Sequence, residues 1–157
     1  MQNGIPNRIR GFQPTPYDAL PDLGLYMDQV ITYMQRQCAE LYPEGERVLT
    51  PATVNNYVKC QLVTRPVDKK YGRDQLAQLL MLCTLKQAAT IEEMRQLLRV
   101  PEGGAVRDIY EDFCRVQREV FASTPEKLSP EETMTCAVQS AAYRFLCSEL
   151  LSAESKA

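Results

Sequence analysis

Histidine and tryptophan are absent from this chain of 157 residues, and the lack of histidine narrows the possible functions most. Without imidazole there is no Ser–His–Asp or Cys–His catalytic arrangement and no imidazole-bound metal, and the commonest general base is missing. The sequence also has no GxGxxG and no phosphate-binding loop motif. We therefore expect a protein that is not an enzyme and that uses no metal and no cofactor.

Cysteine is present, but not in the patterns that bind zinc. The six cysteines lie at least 11 residues apart and form no CxxC pair. No apolar run approaches the roughly 20 residues of a membrane span, and the first residues have no apolar signal-peptide core. We expect a cytoplasmic protein with no membrane association, in which the cysteines are mostly reduced and buried.

Two pairs of adjacent glutamates occur, and both follow a residue that can cap a helix. Glu92 and Glu93 come after Thr90, and Glu131 and Glu132 come after Ser129. A hydroxyl followed three residues later by Glu is typical of a capping box. We interpret both pairs as helix starts and not as general acids or bases.

Charge is distributed unevenly along the sequence. The whole chain has a net charge of −2, but residues 47–73 contain six cations and one anion, so this segment carries +5 and the remainder −7. A basic segment within a mildly acidic protein is typical of a surface that contacts a polyanion. The segment is therefore the candidate binding region.

A short helix is predicted to begin inside the basic segment, with Thr50 as N-cap and Pro51 in the first turn. The apolar positions of this helix leave four polar residues on its other side, namely Thr53, Asn55, Asn56 and Lys59. Asn can pair with adenine through two hydrogen bonds, and a major groove admits one helix. We predict that this face reads DNA bases, while a merely solvated face is the alternative.

The residues that follow, TRPVDKKYG, are predicted to form a small β wing. Their charges favour contact with a phosphate strand. The candidate contacts are Arg65, Lys69, Lys70, Tyr71 and Arg73. Tyr71 either donates its hydroxyl to a phosphate or packs its ring beneath the loop. Arg8 and Arg10, nearer the N-terminus, are further candidates for phosphate contact.

Apolar spacing of three and four residues predicts helices on both sides of this region. One spans residues 21–41, two scaffold helices span 74–89 and 91–98, and two more span 106–121 and 130–151. Breaker residues predict an N-terminal arm over residues 1–20. We divide the chain into this arm, a DNA-binding unit at residues 21–99 and a C-terminal helical hairpin at residues 100–157.

The segment TVNNYVKCQLV, residues 53–63, resembles the recognition helix of MerR-type regulators, whose pattern is T-I-R-Y-Y-E-x-x-G-L-L. It agrees at Val54, Tyr57, Leu62 and Val63, whereas Gln61 stands where that pattern has Gly. KKYGRDQL and LLMLCTLKQAATIEEMRQLL resemble the segments that follow the MerR wing. The combination of NNYVK, KKYGR and TLKQ is closer still to a bacterial MerR-like family known only as a domain of unknown function.

The resemblance implies an all-α fold, a MerR-like winged helix-turn-helix with a minimal β wing followed by C-terminal helices. It implies a transcription regulator that binds double-stranded DNA sequence-specifically and acts as a homodimer. Tyr57 enters the candidate contacts through this match. The C-terminal helices either complete the monomer core or also form a dimer seam, with Phe145 and Leu146 as seam candidates. The alternative function is a non-catalytic helical module for protein–protein interaction.

Overall fold

The computed structural model describes residues 4–157, and the predicted all-α class is confirmed. In these residues the α-helices are α1 Met27–Cys38, α2 Pro51–Lys59, α3 Arg73–Leu85, α4 Ile91–Leu97, α5 Val106–Ala122 and α6 Thr133–Lys156. Three short 3₁₀ helices span Tyr17–Ala19, Ala39–Leu41 and Pro130–Glu132. Two strands, β1 Ile5–Pro6 and β2 Lys127–Leu128, pair antiparallel. No helix of residues 4–157 is both long and apolar enough to cross a membrane.

Helix α3 lies at the centre because it is apolar on both sides. Leu76, Leu79 and Leu82 of α3 are fully buried in a core shared with α1, α2 and α4. On the other side, Ala77 and Met81 pack in a second core with α5 and the N-terminal arm. The fold is thus one scaffold of helices arranged around α3.

The predicted helix starts agree with the structure wherever a local cap sets them. Thr50 caps α2 by accepting a hydrogen bond from the Thr53 backbone N–H at 3.2 Å. Thr90 and Glu93 form a capping box at α4. Ser129 caps the 3₁₀ turn Pro130–Glu132, and α6 begins directly after it. These starts depend on residues within one turn, so the sequence alone could predict them.

Helix α1 begins at Met27 and not near residue 21 as the periodicity predicted. Residues 21–26 lie outside the helix, because the backbone of Leu25 exchanges two hydrogen bonds with Tyr71, at 2.9 and 2.8 Å. The helix ends at Cys38, and a 3₁₀ turn follows it. Helix α3 ends at Leu85, four residues before the predicted end. Contacts distant in sequence override the local pattern at the start of α1.

The predicted arm begins with residues 1–3, which lie outside the described residues, and from Gly4 onward it is fixed to the helical scaffold. Asn7 donates a hydrogen bond to Thr124 Oγ1 at 2.9 Å, and the Phe12 ring lies 6.1 Å from the ring of Phe121. Arg8 donates to the Tyr42 carbonyl at 3.0 Å, and Arg10 donates to the Thr124 carbonyl. In this structure the two arginines therefore hold the arm in place.

The two C-terminal helices differ in how they pack. Tyr110, Cys114 and Gln117 of α5 are buried against the scaffold, so α5 completes the monomer core. In α6 only Leu151 is buried, although the helix is 24 residues long. Its hydrogen bonds to α4 join Arg144 and Ser148 to the Glu93 carboxylate, and Ser155 and the Leu151 carbonyl to the Gln96 amide. Helix α6 therefore adds little to the core.

Candidate nucleic-acid interface

Helix α2 is fixed at both ends by hydrogen bonds. At its C-terminal end the Leu62 N–H donates to the Tyr57 carbonyl at 2.9 Å, and the Gln61 N–H donates to the Val58 carbonyl at 3.1 Å. This pair of bonds is a Schellman motif, which needs a left-handed residue where Gly is usual. Gln61 takes that conformation, with φ of 62°. The position where the MerR pattern has Gly thus has a left-handed backbone in this chain.

The outward side of α2 carries three exposed polar residues, Asn55, Asn56 and Lys59. Thr53, the fourth polar candidate, is half-buried, and its hydroxyl lies 2.9 Å from that of Thr50. The opposite side of the helix is held in the core by Val54. A rigid helix therefore presents two amides and one ammonium group to solvent.

A tight hairpin lies where the sequence predicts the small wing. Val67 and Lys70 bond to each other through both backbone groups, at 3.2 and 2.9 Å. The two residues between them, Asp68 and Lys69, have φ of 52° and 63°. Two successive left-handed residues are typical of a type I′ turn, which normally favours Asn and Gly. Here an aspartate and a lysine occupy it.

The sequence did not reveal that a third segment supports this hairpin. Leu25 pairs with Tyr71, and the Lys70 ammonium lies 5.5 Å from the centre of the Tyr26 ring. A Cβ atom at Gly24 would lie only 2.7 Å from the Cβ of Lys70. The isolated Gly24 inside a predicted helix was the one available signal, since such a glycine often marks a close approach of two backbones.

Five of the six cations in residues 47–73 are exposed and form no ion pair among residues 4–157, namely Arg47, Lys59, Arg65, Lys69 and Lys70. Arg73 is different, because it donates to the Leu20 carbonyl at 3.1 Å and lies 3.8 Å from the Asp22 carboxylate. It connects the arm to α3. Free positive charge is thus concentrated on α2, on the loop before it and on the hairpin.

Both predicted tyrosines lie in the core and not at the surface. Tyr57 is 6% exposed and Tyr71 is 4% exposed. Burial raises the pKa of each hydroxyl, so both stay neutral at physiological pH. Tyr71 follows the alternative in which its ring packs beneath the loop. Neither ring is available to a ligand in this conformation.

An open groove with a volume of about 690 Å³ lies between α1 and the start of α2. Ile31, Leu49 and Pro51 form its apolar part. Its charged residues are Asp28, Arg36, Glu46 and Arg47, which cancel in sign. The groove therefore shows no preference for an anion or a cation, and we assign no ligand to it.

Residues 4–157 contain no cluster of Cys, Asp or Glu side chains that could hold a metal ion. In comparisons with known proteins, residues 15–113 match a family described as a domain of unknown function (DUF1836). No curated protein and no solved structure matches the chain. The matched segment includes α1 to α4 and the first half of α5, and it therefore contains the candidate interface.

Proposed function

The chain belongs to the family described as a domain of unknown function (DUF1836), and we propose that it is a cytoplasmic transcription regulator that binds double-stranded DNA sequence-specifically through a MerR-like winged helix-turn-helix. The observation that carries this proposal is the outward face of α2. Asn55, Asn56 and Lys59 stand exposed on a helix whose two ends are both capped. Such a helix can enter a major groove about 12 Å wide.

The residue types on α2 favour base contact over a solvated surface. Asn is a weak helix former because its side chain competes for backbone hydrogen bonds, so two in succession make α2 less stable. Each Asn amide can donate to and accept from adenine in the major groove. Lys59, at the last helical position, is suited to a phosphate or to guanine.

The loop before α2, residues 42–49, is longer than the tight turn of a standard helix-turn-helix, but hydrogen bonds hold it in place. Gln35 of α1 accepts from the Val48 N–H at 3.0 Å and donates to the Glu46 carbonyl at 3.1 Å. Lys86, the C-cap residue of α3, donates to the Val48 carbonyl at 2.8 Å. These bonds attach the loop to α1 and to the end of α3. The start of α2 therefore has a defined position although the loop is long.

The hairpin supports the proposal because a lysine occupies a backbone position that is unfavourable for it. Lys69 adopts a left-handed conformation that costs an L-residue about 1 to 2 kcal/mol and that Gly adopts freely. Strained residues of this kind cluster at functional sites. A lysine at the tip of an exposed turn can reach a phosphate, which Gly cannot do.

The second candidate function is a helical protein–protein interaction module. Two apolar residues beside the basic ones favour it, because Leu23 is 79% exposed and Val67 is 73% exposed. Basic residues around an apolar patch would suit an acidic protein partner. The two functions differ in their dependence on salt. The affinity for DNA falls steeply as the salt concentration rises, whereas the affinity of an apolar protein interface changes less.

Selection of bound duplexes from a fragmented genomic library tests the proposal. The purified full chain should enrich a defined sequence, and fluorescence anisotropy on that duplex should give a log–log salt slope of about −0.9 for each phosphate contacted. A scrambled duplex of equal length is the control. Absence of any enriched sequence, together with a salt slope near zero, would contradict DNA binding and favour the protein-interaction module.

A further inference from the structure

The C-terminal end of α2 needs a cation if it is to approach a polyanion. The last carbonyl groups of a helix have no partner within it and carry its partial negative charge. The Schellman bonds satisfy the carbonyls of Tyr57 and Val58. The carbonyl of Cys60, the C-cap residue, follows directly after Lys59 of the outward face. The partner of this carbonyl therefore decides which charge this end of the helix presents.

Arg95 of α4 supplies the cation. Its guanidinium donates to the Cys60 carbonyl twice, from Nε at 3.2 Å and from Nη2 at 2.9 Å. In residues 4–157 both donors to this carbonyl belong to Arg95. The two residues are 35 positions apart in sequence, so these bonds join two separate elements. Hydrogen bonds from a charged donor are stronger than those between neutral groups. Arg95 thus completes the cap of α2 from outside the helix.

The Arg95 side chain is itself held in place. Its neighbour Met94 is buried in the core shared with α2. The Glu92 carboxylate, one turn earlier on α4, accepts a hydrogen bond from Arg95 Nη1. An exposed ion pair of this kind contributes little stability by itself. Its effect is to orient the planar guanidinium, so that the nitrogens on its other side meet the Cys60 carbonyl.

The cap acts on two of the residues that face solvent on α2. The Cys60 N–H donates to the Asn56 carbonyl at 2.8 Å, and the Cys60 thiol lies 3.8 Å from Asn56 Oδ1. Lys59 is bonded directly to Cys60 in the chain. A displacement of Cys60 therefore displaces Asn56 and Lys59 as well. Side chains of a binding site must be held to within about 0.5 Å by their supporting contacts.

We propose that Arg95 is a positioning residue for DNA binding, which holds the C-terminal end of α2 so that Asn56 and Lys59 keep the geometry needed in the major groove. This role rests on the DNA-binding function proposed above. Arg95 does not read bases itself, because its nitrogens bond the Cys60 carbonyl and Glu92. It also lies outside the basic segment at residues 47–73, so the charge pattern of the sequence does not indicate it.

Hydrogen exchange of the free chain tests the cap without DNA. In Arg95→Ala the amides of Gln61 and Leu62 should exchange about five- to tenfold faster, because the loss of a charge-assisted hydrogen bond lets this end of α2 open more often. The amides of α3 should change far less. The variant should stay folded by circular dichroism, because the Arg95 side chain is 39% exposed. Unchanged exchange at Gln61 and Leu62 would overturn the proposal.

Anisotropy titrations test the effect on DNA binding. Arg95→Ala should weaken binding to the selected duplex about tenfold and binding to a scrambled duplex less than about twofold, because correctly placed base contacts distinguish the two. The log–log salt slope should not change, since no phosphate contact is lost. Arg95→Lys should recover most of the affinity, because both Arg95 nitrogens share one acceptor oxygen that an ammonium group can also bond. Equal losses on both duplexes would overturn the positioning role.

Arg115→Ala is the matched control. Arg115 of α5 is 53% exposed, and its ion pairs with Asp112 and Glu119 stay within its own helix. The variant therefore loses the same charge and a similar ion pair but keeps the cap, and its affinity and exchange rates should not change. Glu92→Gln, which also keeps the cap, should bind the selected duplex as tightly as the unmodified protein. A loss in either control as large as that in Arg95→Ala would overturn the proposal.

The two proposals fail in different ways. If the unmodified chain selects no duplex, the DNA-binding function is refuted and the role of Arg95 falls with it. If the unmodified chain selects a duplex and Arg95→Ala binds it equally tightly, only the role of Arg95 is refuted.

Discussion

At the scale of single residues, left-handed backbone is concentrated near the proposed interface. Gln61, Asp68 and Lys69 are the non-glycine residues with positive φ in residues 4–157. Gln61 lies where the recognition-helix pattern has Gly, and the sequence could therefore predict its conformation. The fixed orientation of Arg73 could not be predicted, because the Leu20 carbonyl that holds it is far away in sequence.

Replacing Gln61 by Gly should stabilise the protein. The left-handed conformation costs Gln about 1 to 2 kcal/mol, and Gly removes this cost. Part of the resulting gain in stability is offset, because Gly makes the unfolded chain more flexible. We expect the free energy of unfolding to rise by about 0.5 to 1 kcal/mol in urea titrations. Gln13→Gly, at an exposed position without positive φ, should give no such gain. A loss of stability in Gln61→Gly would show that the Gln side chain matters more than the backbone.

Asn55→Ala and Asn56→Ala test base reading. Each change should weaken binding to the selected duplex by about 1 to 3 kcal/mol and change binding to random DNA far less. Anisotropy titrations on both duplexes measure the difference. Gln139→Ala removes an exposed amide from α6 and should change neither affinity. An equal loss on both duplexes would mean that the amides contact phosphate and carry no sequence information.

Glu93 makes the attachment of α6 dependent on pH. Its carboxylate accepts from the Thr90 N–H at 2.8 Å and from Ser148 Oγ at 2.9 Å, and it pairs with Arg144 at 3.0 Å. The Thr90 backbone bond, with smaller effects from Ser148 and Arg144, lowers the pKa of Glu93 to about 2. Because the folded-state pKa lies below the ordinary value of about 4.3, the stabilisation is present above that value and is lost as pH falls toward about 2.

Thermal unfolding between about pH 5 and pH 2 measures this loss. Glu93→Gln should be less stable than the unmodified protein at neutral pH, and its melting temperature should fall less over that range. Glu92→Gln is the control, because Glu92 is exposed and lies outside the capping box. Parallel pH profiles for Glu93→Gln and the unmodified protein would exclude Glu93 as the source of the dependence.

At the scale of elements, helix ends with local caps could be predicted and ends set by distant partners could not. Thr50 and Thr90 fix α2 and α4 from within one turn. The start of α1 depends on Leu25 meeting Tyr71, and no local pattern indicates that pairing. The sequence predicts a small wing after α2. In the structure, the backbone pairing of this segment consists of the bridge between Val67 and Lys70 and the bridge between Leu25 and Tyr71.

The hairpin should contribute charge and no sequence preference to DNA binding. Lys69→Ala with Lys70→Ala should weaken binding to all duplexes about equally, and each lost phosphate contact should reduce the magnitude of the log–log salt slope by roughly 0.9. Lys127→Ala with Lys156→Ala removes the same charge from exposed sites elsewhere and should leave the slope unchanged. If both double variants behave alike, only net charge matters and the hairpin is not a specific contact.

At the scale of the whole molecule, periodicity could predict six helices but not how α5 and α6 differ in packing. Both carry apolar residues at helical spacing, yet Tyr110 of α5 is fully buried while Phe145 of α6 is mostly exposed. Whether an apolar face is buried depends on which surfaces of the other helices remain free to pack against it. The helical spacing of apolar residues does not contain this information. The same limit applies to Tyr57 and Tyr71, whose burial follows from the position of α3.

The pairing of β1 with β2 has a consequence for the order of folding. Ile5 meets Leu128, so this contact joins the start of the N-terminal arm to the segment between α5 and α6. During synthesis the arm emerges first but must wait until β2 has left the ribosome, by which time residues 15–113 can already have folded. Contacts of such high sequence separation form late and contribute most to contact order. Amide hydrogens of Asn7 and Leu128 should therefore exchange with deuterium well before those of α3.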